Sequence, residues 1–86
     1  MRLAQKLIYL NSSGKCIRIF LEPWAEQFQI APGEGIEILV YTPDEATEGV
    51  LEFEQVEGGL IVYGYEGCVI NLKSNGNDLT PSDQIG

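Results

Sequence analysis

Apolar and polar residues alternate with a period of two along several short stretches of this chain, and helical spacing of apolar residues is sustained nowhere. The stretches recur about every eight to twelve residues, separated by Gly, Pro, Asn and Ser, which is the rhythm of antiparallel β structure. Leu7-Ile8-Tyr9-Leu10 reads as a first strand, and Asn11-Ser12-Ser13-Gly14 as the turn that follows, because Asn and Gly tolerate positive φ. Cys16 to Leu21 reads as the returning strand: Ile17, Ile19 and Leu21 alternate with Arg18, Phe20 and Glu22, so the first set faces a core. Pro23 has no N–H to donate and ends that ladder.

Glu26 to Ile30 predicts a short strand, and Ala31-Pro32-Gly33-Glu34-Gly35 a turn with Pro and Gly in suitable places. Ile36 to Tyr41 is apolar on both faces except at Glu37, which suits a central strand or one covered by a second subunit. Thr42-Pro43-Asp44-Glu45 carries a capping residue, a first-turn Pro and a capping-box Glu, and with Gly49 as a stop it predicts about one helical turn. Val50 to Val56 alternates again, and Gly58-Gly59 marks a hairpin. Leu60 to Leu72 is too long for an average strand. Either Gly64 is a bulge in one bent strand, or Tyr65-Glu66-Gly67 is a tight turn between two, and the second reading is preferred. The result is an all-β domain, a small antiparallel β-sandwich or open barrel of six or seven strands with one short helical turn. Its expected core is Ile17, Ile19, Leu21, Ile36, Ile38, Val40, Leu51, Phe53, Val62 and Ile70.

At 86 residues the chain has room for a single domain. Residues 1–72 carry the β pattern, and the polar, turn-rich residues 73–86 read as a partly disordered C-terminal tail. No apolar run approaches the roughly 18 residues of a membrane-spanning helix. The opening residues lack the apolar stretch and small-residue cleavage site of a secretory leader, so a cytoplasmic protein is expected.

Charge narrows the partners. Thirteen acidic residues against five basic ones give a net charge of −8, and no cation occurs between Ile19 and Leu72. Such a surface repels phosphate backbones and anionic membranes, which leaves no nucleic acid and no membrane among the expected partners. A basic protein partner fits the charge, although a solvating acidic coat is the plainer reading.

The chain has no histidine. Serine triads with a His base, Cys–His nucleophile pairs and His-ligated metals are therefore excluded within one chain. Cys16 and Cys68 lie 52 positions apart and form neither a redox motif nor a zinc site; both read as buried, unreactive thiols. The acidic segment Asp44 to Glu48 lacks the ligand alternation and Gly of a calcium loop. Gly33-Glu34-Gly35 and Gly58-Gly59 precede no helix with Lys or Ser/Thr in place, so they are turns rather than phosphate cradles. No cofactor, metal or catalytic residue is expected.

What remains as candidate ligand-binding chemistry is Trp24, Glu37, Glu52, Glu54, Tyr63 and Tyr65. Glu52 and Glu54 share one strand face with Cα atoms roughly 6.5–7 Å apart, a separation like that of paired acid/base carboxylates. Most such glutamates form a solvated face, and a pocket over them would be needed for chemistry. Trp24, Tyr63 and Tyr65 are either packing residues or a stacking platform.

Ile19-Phe20-Leu21-Glu22-Pro23-Trp24, followed by Ala31-Pro32-Gly33 and an apolar strand, resembles a Glu-Pro-Trp…Pro-Gly pattern of small uncharacterised bacterial β-rich proteins, and loosely one half of a cupin or jelly-roll sheet. The resemblance spans about a quarter of the chain and implies β architecture alone. Cupin metal sites depend on histidines, so neither metal nor oxygenase activity carries over. The expectation for function is a non-catalytic interaction or scaffold module, with a small-molecule or cation binder using the surface carboxylates and aromatics as the alternative. If Leu39 and Tyr41 lie on an outer face, a neighbour must cover them and a homo-oligomer follows.

Overall fold

The computed structural model describes residues 1–82. Eight strands form two four-stranded sheets, with no helix among the described residues. They are β1 (Arg2–Leu10), β2 (Ile17–Glu22), β3 (Glu26–Ile30), β4 (Gly35–Thr42), β5 (Glu52–Val56), β6 (Gly59–Tyr63), β7 (Val69–Ser74) and β8 (Asn77–Asp78). The first sheet has the order β1-β4-β7-β8 and the second β3-β2-β6-β5. One hydrophobic core takes residues from both: Ile17, Ile19, Leu21, Phe28, Ile30 and Val62 from the second sheet, and Ile36, Ile38, Val40, Ile70 and Leu72 from the first. Period-two alternation produces this, since every other residue of each strand points the same way.

Most pairings are antiparallel, but β2 and β6 run parallel, with Arg18 beside Gly59 and Glu22 beside Tyr63. The antiparallel expectation fails at this pair because the chain visits the first sheet as β4 before returning as β5 and β6. The same pair explains the second hairpin. Its turn is Glu57-Gly58 rather than Gly58-Gly59: Gly58 takes the positive φ of 82°, and Gly59 is the first residue of β6. A Cβ on Gly59 would overlap the carbonyl oxygen of Arg18, so this glycine is required by close backbone approach.

Three further expectations change. The first strand begins at Arg2 rather than Leu7; a register shift between Leu3 and Gln5 interrupts the alternation that would have marked it. No helical turn forms after Thr42, which is the last residue of β4. Pro43 and Ala46 close a single turn (Ala46 N to Pro43 O, 3.0 Å), and the Ala46 carbonyl then accepts from Arg2 Nη2 at 3.0 Å instead of propagating a helix. Arg2 also pairs with Glu48 at 3.1 Å, so contacts between residues distant in the sequence outcompete a helix too short to nucleate itself. Past Leu72, β7 continues to Ser74 and turns at Asn75-Gly76 into β8, which raises the strand count to eight. Ser82 N donates to Gln27 O at 2.6 Å; residues 83–86 of the expected tail lie outside the described residues.

The expected core is buried except at two positions. Leu51 is only partly buried, and Phe53 is 43% exposed. Phe53 pairs with the buried Val62, but β5 is an edge strand with less of the opposite sheet over it. Tyr65-Glu66-Gly67 is the turn it was read to be, closed by Cys68 N donating to Tyr65 O at 3.1 Å, and it joins the two sheets.

Candidate functional site

The register of the second sheet sets Glu22, Tyr63 and Glu52 in one row across β2, β6 and β5, with Phe20, Ile61 and Glu54 in the next. These residues alternate with the buried Ile19, Leu21 and Val62, so they form the outer face. Tyr63 Oη donates to Glu54 Oε1 at 2.8 Å. That hydrogen bond to a carboxylate, with the negative charges of Glu54, Glu52 and Glu22 around it, raises the phenol above its ordinary value of 10.0. At neutral pH Tyr63 is therefore a fixed donor, not a base. Glu52 and Glu54 are exposed, and neither lines the cavities of about 340 and 210 Å³ found among the described residues. The arrangement is an acidic strip open to water.

The other candidate residues stand apart from this strip. Trp24 lies in the turn after β2 with its ring over Gly64, where a Cβ would come within 2.5 Å of Cη2. It is a partly exposed packing residue at the end of the sheet. Tyr65 packs against Gly49, whose added Cβ would lie 2.5 Å from the ring, and so pins the long loop between β4 and β5. Its hydroxyl is buried without a hydrogen-bond partner among the described residues, as is Oγ1 of Thr42. Glu37 belongs to the first sheet, where Lys6 Nζ lies 3.3 Å from its Oε1. The structure thus brings together Glu52, Glu54 and Tyr63 and separates Trp24, Glu37 and Tyr65 from them.

A second surface was less visible in the sequence. On the outer face of the first sheet, one row reads Ile8, Glu37, Lys73 and Asp78; the next Lys6, Leu39 and Asn71; a third Leu3, Tyr41 and Val69. Leu39 is only 7% exposed within the single chain, so the expectation that a neighbour must cover it does not hold. On the same face Leu3 (49%) and Val69 (41%) are exposed in the Tyr41 row, and Ile8 (67%) and Leu10 (57%) toward the Gly35 end. The charges of the face are matched in pairs, Lys6 with Glu37 and Lys73 with Asp78 at 3.8 Å. The strand β1 forms one lateral edge of the sheet.

Between the edges of the two sheets lies a cavity of about 340 Å³ walled by Tyr9, Cys16, Ile17, Gln55, Val56 and Leu60. Cys16 is exposed there and only Cys68 is buried, because Cys16 sits in the turn just before β2. Its neighbours in the wall come from turns and strands far apart in the chain, and no spacing rule links them. Among the described residues no group of three or more Cys, Asp or Glu side chains is placed to hold a metal ion. Nor does any helix there have the length and apolarity to cross a membrane. Comparison with protein-family models, curated proteins and solved structures returns no match.

Proposed function

We propose that this chain is a non-catalytic interaction module, a two-sheet β-sandwich of the cytoplasm that associates with a second copy of itself through the outer face of its first sheet. The observation that carries the reading is that Leu3, Ile8, Leu10 and Val69 are exposed along one sheet face whose charges cancel. Lys6 and Lys73 offset Glu37 and Asp78, giving zero on this face, against −8 for the whole chain. Two copies repel through their acidic coats, and this face is where they approach at least electrostatic cost. The second sheet, with Glu22, Glu52 and Glu54 against Arg18, lacks that balance. The free thiols Cys16 and Cys68 are consistent with a reducing compartment.

Sedimentation equilibrium tests the reading. The wild-type chain is expected to dimerise with rising concentration, and Ile8→Lys to remain monomeric with an unchanged β-type circular-dichroism spectrum. Because a two-fold contact contains each substitution twice, burial energies of about 1.5 kcal/mol per Ile weaken the dimer about a hundredfold. A wild-type chain that stays monomeric at high concentration rejects the proposal.

A further inference from the structure

The cavity at the mouth between the sheets has a composition unlike the rest of the surface. Its apolar lining comes chiefly from the inward-facing Ile17 and Leu60, and Tyr9, Gln55 and Lys15 line it too. The lining contains one charged side chain, Lys15, and no carboxylate, in a chain with thirteen acidic residues. Among the described residues the amino terminus, Arg2, Lys6 and Lys73 each pair with a carboxylate, whereas Lys15 forms no ion pair. A volume of about 340 Å³ falls at the small end of the range for organic ligands, about 300–1,000 Å³.

The rim is held rigidly. Asn11, 1% exposed, donates through Nδ2 to the carbonyls of Lys15 (2.8 Å), Ala31 (3.1 Å) and Ile30 (3.2 Å). Its Oδ1 accepts from Ser13 N at 3.1 Å and Ser13 Oγ at 2.7 Å. The turn that carries Lys15 and Cys16 is therefore fixed to the β3–β4 turn before any ligand arrives, so little ordering entropy opposes binding.

We infer that this cavity binds a small organic acid, a short apolar chain or ring ending in a carboxylate, with the apolar end over Ile17 and Leu60 and the carboxylate at Lys15. The Lys15 ammonium, the Tyr9 hydroxyl and the Gln55 amide supply donors to the carboxylate oxygens. This site is independent of the outer face of the first sheet, and its occupancy is read separately from dimerisation.

Cys16 serves as the reporter, since it lines the cavity while Cys68 is buried and acts as an internal reference. Alkylation of Cys16 by iodoacetamide is followed by mass spectrometry with hexanoate, hexanol or acetate present, and backbone amide NMR shifts locate the contact. Millimolar hexanoate is expected to slow Cys16 alkylation several-fold and saturably, with shifts centred on Tyr9, Ile17 and Leu60, while acetate and hexanol protect less. Lys15→Gln, an exposed substitution, is expected to weaken hexanoate about fivefold, the scale of a solvent-exposed ion pair, and to leave hexanol unchanged. Equal protection by hexanoate and hexanol, hexanoate binding unaffected by Lys15→Gln, no protection at all, or shifts mapping elsewhere would each overturn the assignment.

Discussion

One buried amide, that of Asn11, ties together two turns of this structure. Side-chain bonds from Asn11 reach three carbonyls and one Ser, while its main chain donates to Glu34 O at 3.0 Å and accepts from Gly33 N at 2.8 Å. It joins the turn after β1 to the turn before β4. Glu34 extends the junction: its Oε2 accepts from Ser74 Oγ at 2.6 Å and its Oε1 from Ala31 N at 2.8 Å. These two bonds, that of Ser74 foremost, hold the Glu34 carboxyl below its ordinary value of 4.5. Replacing Asn11 by Ala leaves several carbonyls short of a donor inside the protein, and about 3 kcal/mol of stability should be lost in urea unfolding. Asn11→Asp should cost more, because it turns a carboxylate toward three carbonyl oxygens. A loss below about 0.5 kcal/mol for Asn11→Ala would show that water replaces the amide freely. The sequence marked Asn11 as a turn former, which it is, but a turn-forming propensity says nothing about burial.

Elements were legible where side chains alternate and hidden where backbone geometry decides. Glu26–Ile30 matches its sequence reading residue for residue, and β2, β4 and β7 agree to within a residue or two at each end. Ile17, Ile19 and Leu21 face inward as their period-two spacing demands. Half of β1 was missed because a bulge displaces the pattern, and β8 because two polar residues leave no hydrophobic trace. The capping signals at Thr42 to Glu45 were locally sound, yet Arg2, more than forty residues away in sequence, captured the segment. Of the candidate site, the i, i+2 spacing revealed that Glu52 and Glu54 share a face, while the neighbourhood of Tyr63 required knowing which strands are adjacent. Gly59 shows the same limit: read as a turn residue, it is a strand residue whose missing side chain lets β6 approach β2. Gly59→Ala should destabilise the domain by about 3 kcal/mol as the β2–β6 pair is forced apart. Amide hydrogen exchange should localise the damage to that pair. Unchanged protection there would mean that the strands separate without cost.

At the scale of the whole molecule, net charge and apolar area oppose each other. The domain measures 40 × 28 × 21 Å, so carboxylates on the far sides of two associated copies lie well beyond a screening length of about 10 Å at 0.1 M salt. Raising salt from about 10 mM to about 100 mM shortens that length from about 30 Å, and self-association should tighten as the acidic coats cease to repel. Weaker association in salt would instead point to ion pairs between the copies and to a different contact surface. The parallel alignment of β2 with β6 acts at this scale too. Arg18 and Gly59 are neighbours across 41 positions of chain, so on a translating ribosome β2 emerges with one whole side unsatisfied and waits there until most of the polypeptide has been made. The nascent chain can rehearse the β2–β3 hairpin early, but it cannot close its second sheet. A fragment ending before β6 has no partner for that side of β2, so no truncation short of Tyr63 can complete the second sheet.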